Sequence, residues 1–176
     1  ADPDPDGLGV RNRAGVVHVI YGGAGLASSI DLASTPADIT VSGNNENEHG
    51  SSIGERMATG DVNGDGYADF FFGYYHAEVE GWSSPGYSGV FWGILGSASP
   101  NSSYDLDAGE FDFKVYGTPD SYGLGARAAT GDLDGDGYDE LILQVSDSPH
   151  GAVAVIAGAA DFGGGGDIDS VTDSSG

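Results

Sequence analysis

The residues with the clearest chemistry lie in two short stretches. They are Asp61-Val62-Asn63-Gly64-Asp65-Gly66-Tyr67-Ala68-Asp69 and Asp132-Leu133-Asp134-Gly135-Asp136-Gly137-Tyr138-Asp139-Glu140. Each places a side-chain oxygen at positions 1, 3, 5 and 9, and glycine at positions 4 and 6. Calcium takes six to eight hard oxygen ligands, and a tight loop supplies them by alternation, with a backbone carbonyl at position 7. The candidate ligands of the first loop are therefore Asp61, Asn63, Asp65, the Tyr67 carbonyl and Asp69. Those of the second are Asp132, Asp134, Asp136, the Tyr138 carbonyl and Glu140. The glycines let the backbone turn around an ion. Without one, three or four carboxylates would crowd and repel, so binding is expected to stabilise the fold. Glu140 is longer than Asp69, which leaves Asp139 as a competing carboxylate.

Two other readings fit loops of this kind. An EF-hand also begins D-x-N-x-D-G, but it needs a bidentate Glu at position 12 between helices. Position 12 here is Phe72 or Leu143, each inside an apolar strand pattern, which excludes an EF-hand and a dockerin-like loop. A metal-free Asp/Gly-rich hairpin turn suits one copy better than two copies with the same spacing.

The elements around the loops repeat with them. Gly54 to Tyr67 aligns without gaps on Gly125 to Tyr138, with 10 of 14 positions identical and an offset of 71 residues. A Gly-bounded apolar strand recurs three times, at Gly15–Gly22, Gly89–Gly96 and Gly151–Gly158. Within one repeat, a small-residue strand (Arg56 to Thr59) enters the loop. An apolar strand (Phe70 to Phe72, or Leu141 to Leu143) leaves it. The Gly-bounded strand is third, and Phe111 to Val115 or Ile168 to Val171 is fourth. Four antiparallel strands in about 60–70 residues is the pattern of a propeller blade.

The predicted fold is thus all-β, a partial β-propeller of about two and a half four-stranded antiparallel blades. Residues 1–50 form a half blade (third and fourth strands) with a linker. Residues 51–118 are a complete blade with the first loop, and 119–176 a complete blade with the second. The alternative is a small sandwich of two and a half sheets. A propeller closes with about four blades or more, so the chain is expected to be a piece of a longer protein or to complete itself with other copies. The polar start, Ala1 to Asp6, lacks both an initiator Met and a signal-peptide pattern and reads as a processed or excised end.

Composition narrows the partners. The 176 residues carry 28 acids against 5 bases, a net charge of −23. Such a surface repels nucleic acid and anionic membranes. Two bound Ca²⁺ would offset only four of those charges, so calcium ligation leaves most of the acidity to solubility or to a high-salt, halophilic habitat. Cysteine is absent, which removes disulfides and thiolate metal sites. No run has the apolar length of a membrane helix.

The loops and their flanks resemble the FG-GAP repeats of integrin α-subunit propellers and of many secreted prokaryotic proteins. The Phe-Gly element corresponds to Ile53-Gly54 and Leu124-Gly125, with an aliphatic in place of Phe. The Gly-Ala-Pro element falls on Gly73-Tyr74-Tyr75 and, without its glycine, on Gln144-Val145-Ser146. Asp2 to Ala14 is similar to the loop that joins second and third strands. The resemblance implies a calcium-stabilised, integrin-like propeller at the cell surface or outside the cell, used in adhesion or assembly.

The remaining residues suggest no catalytic constellation. His18, His49, His76 and His150 have no metal-ligand spacing, and no nucleophile elbow is present. Glu78 and Glu80 read as solvated charge. Arg56 and Arg127 hold equivalent positions, where pairing with nearby acids or lining an axis is expected. Trp92 lies in a strand and reads as core; Trp82 and Tyr87 lie in the variable loop, where contacts with a protein or sugar are made. Gly163 to Asp169 reads as a flexible loop. The expected function is a non-enzymatic calcium-binding interaction module, two ions per chain. Its partners would be other blades of the parent protein, other copies of the chain, or a protein or glycan ligand. The alternatives are an accessory propeller of a secreted hydrolase or lyase, and a subunit of an extracellular filament.

Overall fold

The computed structural model describes residues 15–43, 53–74, 88–117, 123–145 and 151–163. These form ten strands and no helix: β1 (Val16–Val19), β2 (Ile39–Ser42), β3 (Arg56–Gly60), β4 (Asp69–Tyr74), β5 (Val90–Ile94), β6 (Ser103–Asp105), β7 (Phe113–Tyr116), β8 (Ala128–Gly131), β9 (Glu140–Val145) and β10 (Ala152–Ile156). Three sheets result, ordered β1-β2-β6, β3-β4-β5-β7 and β10-β9-β8.

The second sheet has the expected four-strand order. Its antiparallel register runs Met57 to Phe72, Phe72 to Trp92 and Trp92 to Lys114. The third sheet repeats the first three strands, with Thr130 opposite Leu141 and Leu143 opposite Ala154. Its expected fourth strand, Ile168 to Val171, lies outside the described residues. So do the tips of both Gly-Ala-Pro elements, Glu78, Glu80, Trp82, Tyr87 and His49, His76 and His150.

The first sheet corrects the expectation of wholly antiparallel pairing. β1 and β2 pair antiparallel, but β6 joins β2 in parallel, with Val41 opposite Tyr104. The segment between β5 and β7 crosses back to the preceding sheet. There Thr40 N–H donates to the Ser102 carbonyl and Leu106 N–H to the Ser42 carbonyl, both at 3.0 Å. Leu106 is buried in the core between the sheets, and β6 covers an edge of β2 that would otherwise be open for pairing.

Alternation along each strand builds two cores between three stacked sheets. Phe72, Tyr74, Val90, Trp92 and Ile94 pack against Val17, Ile39 and Val41 of the first sheet. Phe71, Phe91, Phe113 and Val115 point the other way and pack against Leu124, Leu141, Leu143 and Ala154 of the third. Two cross-strand glycines shape the second core. A Cβ at Gly73 would sit 2.3 Å from the Phe91 ring, and one at Gly93 would sit 2.2 Å from the Phe113 ring. The rings lie over these glycines, as aromatic residues do opposite glycine in sheets. Phe113 also meets Phe162 edge-on, with centroids 4.8 Å apart. Trp92 is core as expected, and His18 is exposed, its Nδ1 3.2 Å from Thr40 Oγ1.

Candidate metal centre

Each Asp-rich loop connects an edge strand of a sheet to its neighbour: β3 to β4, and β8 to β9. The strands fix the two ends of each loop, and short side chains fold the rest by bonding to nearby backbone. Asp61 accepts from the Asp65 N–H at 3.0 Å and the Gly66 N–H at 2.9 Å. Asp132 accepts from the Gly135 N–H at 2.7 Å and the Gly137 N–H at 3.2 Å. Position 3 accepts from position 5, at 3.1 Å for Asn63 and 3.2 Å for Asp134. Position 5 accepts from position 7, at 2.9 Å for Asp65 and 3.0 Å for Asp136. Gly66 and Gly137 take φ of 87° and 95°, which L side chains rarely adopt.

This curl brings side chains 1, 3 and 5 together. Carboxylate oxygens of Asp132, Asp134 and Asp136 all lie within 4.8 Å of one another, and all three residues are exposed. Ca–O bonds of 2.3–2.6 Å put opposite ligands roughly 5 Å apart. The spread of the three oxygens therefore fits one calcium coordination sphere, and an all-oxygen donor set suits calcium rather than a softer metal. The first loop shares all but one of these hydrogen bonds, position 1 accepting from position 5 rather than position 4, and has the Asn63 amide in place of the middle acid. Asn63 Nδ2 lies 3.1 Å from Asp65 Oδ2.

Position 9 is arranged differently from positions 1, 3 and 5. Asp69 is fully buried; its oxygens accept from Val62 N–H and Gly96 N–H, each at 2.8 Å. Burial pushes the Asp69 carboxyl above its ordinary value. The N–H groups of Gly96 and Val62 pull it down, and the nearby charges of Asp65 and Asp61 push it up. Glu140 makes the matching pair of contacts, to Leu133 N–H at 2.7 Å and Gly158 N–H at 3.5 Å. Each of these carboxylates thus joins its own loop to the glycine that closes the third strand of its sheet. Both keep lone pairs for a cation, and neither belongs to the exposed cluster of three acids. The recurrence of Gly96 and Gly158 at the ends of the apolar strands was the available signal for these donors.

Asp139 does not turn into the second loop. Its Oδ2 accepts the Asp61 N–H at 2.9 Å, across the interface between the second and third sheets. Arg56 also crosses this interface: Nε donates to the Ala126 carbonyl at 2.6 Å, and Nη1 to the Glu55 carbonyl at 2.9 Å. Beside the first loop, a cleft lined by Tyr21, Tyr67, Phe70 and Pro100 opens between the first and second sheets.

The FG-GAP repeat family model matches residues 54–90, which span β3, the first loop, β4 and the start of β5. The second loop is a close copy of this segment by sequence and by hydrogen bonding. No curated protein matches the chain. Among the described residues no helix is long and apolar enough to cross a membrane.

Proposed function

We infer that the chain is a non-catalytic, calcium-binding module of an FG-GAP propeller, extracellular or at the cell surface, that serves protein interaction, adhesion or surface assembly. The convergence of Asp132, Asp134 and Asp136 within an all-oxygen loop supports the calcium reading. Asp132, Asp134, Asp136, the Tyr138 carbonyl and Glu140 would hold one ion. Asp61, Asn63, Asp65, the Tyr67 carbonyl and Asp69 would hold the other. Each ion would neutralise carboxylates that otherwise repel one another and clamp the hairpin between two strands of one sheet.

The three stacked sheets support the propeller reading, with residues 1–50, 51–118 and 119–176 as a half blade and two blades. Val153 and Val155 are 65% and 54% exposed, although the intervening Ala154 is buried. A further blade, from the parent protein or another copy, would cover that face. Thermal unfolding in calcium and in EDTA tests the role of the ions. At a free calcium concentration a hundredfold above Kd, each site adds about 2.7 kcal/mol. A large fall in Tm on chelation is expected, and identical melting in both buffers would overturn the reading.

A further inference from the structure

Four contacts tie the first loop to the second or to the segment that follows β10. The Asp61 N–H donates to Asp139 Oδ2, and the Asp139 N–H donates to the Asp61 carbonyl, both at 2.9 Å. The Tyr138 ring lies on Gly64, where a Cβ would sit 2.7 Å from it. The Ala159 N–H donates to the Val62 carbonyl at 2.9 Å, beside Gly158, whose own N–H faces Glu140. Every contact joins a residue at or next to a candidate ligand of one loop, or next to such a ligand's hydrogen-bond partner, to the other loop. Asp139 is the centre of the set. It lies between Tyr138 and Glu140, and it holds both backbone polar groups of Asp61, position 1 of the first loop.

We propose that the two loops are coupled, so that a cation in the second raises the affinity of the first, with Asp139 as the positioning residue. This rests on the calcium reading above. An ion in the second loop orders Tyr138, Asp139 and Glu140. Ordered, they fix the Asp61 backbone and cover Gly64, so the first loop loses less conformational freedom when it binds. The coupling is reciprocal, because linkage between binding sites must be. Asp139 acts through the Asp61 backbone and touches no ion. The arrangement also has a direction along the stack. Position 8 of the first loop is Ala68, which has no carboxylate to extend toward the first sheet.

The test is a calorimetric titration of the full chain with CaCl₂, using variants that silence one loop at a time. Asp134→Ala with Asp136→Ala silences the second loop, and Asp61→Ala with Asp65→Ala silences the first. Silencing the second loop is expected to raise the first loop's Kd by about five- to twentyfold, in the usual range of coupling between sites. Asp139→Ala should raise the first loop's Kd similarly and make it insensitive to the second loop. Asp139→Asn keeps an acceptor for the Asp61 N–H and should preserve coupling to within about threefold. Should Asp139→Ala fail to fold by circular dichroism, the loop-silenced variants and Asp139→Asn still decide the question. Equal first-loop affinity with the second loop intact or silenced overturns the proposal while leaving the calcium reading in place. Absence of calcium binding by the native chain overturns both.

Discussion

The second and third sheets open on closely matching segments, identical at 10 of 14 positions from Gly54 and Gly125, and end in different surroundings. Phe91 of β5 and Val153 of β10 hold the same place between their bounding glycines, yet Phe91 is fully buried and Val153 is 65% exposed. Val62 and Leu133, both at position 2 of a loop, are 0% and 62% exposed. Arg56 bonds to a carbonyl of the next sheet, whereas its counterpart Arg127 is exposed. The third sheet covers the second at each of these points, and no described residue covers the third. A repeat of this kind defines its own strands and loop, but its neighbour determines how much of it is interior.

Substitution at matched positions sharpens or breaks that comparison, and the largest difference is expected in the core. Phe91→Ala removes a fully buried ring and should cost about 3–5 kcal/mol by denaturant unfolding. Val153→Ala should change stability by less than about 0.5 kcal/mol. Similar losses at the two positions would mean that the third sheet's outer face is covered in solution, which light scattering would then report as self-association.

A smaller difference is expected at the arginines. Arg56→Ala removes a charged donor to the Ala126 carbonyl and should cost about 1–2 kcal/mol. Arg127→Ala should leave the unfolding midpoint unchanged. A comparable effect at Arg127 would contradict its exposure in the third sheet.

A finer effect is expected from the acidity of Asp69 in the first loop. Because burial chiefly raises the Asp69 carboxyl above its usual value near 3.8, folding favours the protonated acid. That contribution is present below the unfolded value and is lost as pH rises through the higher folded one. In metal-free protein, the stability of the native chain relative to Asp69→Asn should therefore improve as pH falls from neutral toward about 4. A relative loss over the same window would contradict the burial argument.

Much of this architecture was legible in the sequence. The gap-free match of Gly54 to Tyr67 with Gly125 to Tyr138 located both loops, and alternation in Val90 to Ile94 located a core strand. Ser103-Tyr104-Asp105 was not legible as a strand. It has too short an alternation to register, and its partner β2 lies some 60 residues earlier and pairs in parallel. Asp139 was read as a competing carboxylate of its own loop, and its bond to the first loop was hidden for a different reason. Comparing the copies sets Asp139 against Ala68, so the comparison that located the loops averages away the residue that joins them. Arg56 was expected to meet an acid or an axis; a carbonyl 70 residues away carries no sequence signature.

The most direct test is the number of calcium ions bound. After exhaustive removal of metal, calorimetric titration of the full chain with CaCl₂ should give two ions per chain, with candidate ligands at 61–69 and 132–140. No heat of binding at millimolar calcium would contradict the assignment of both loops.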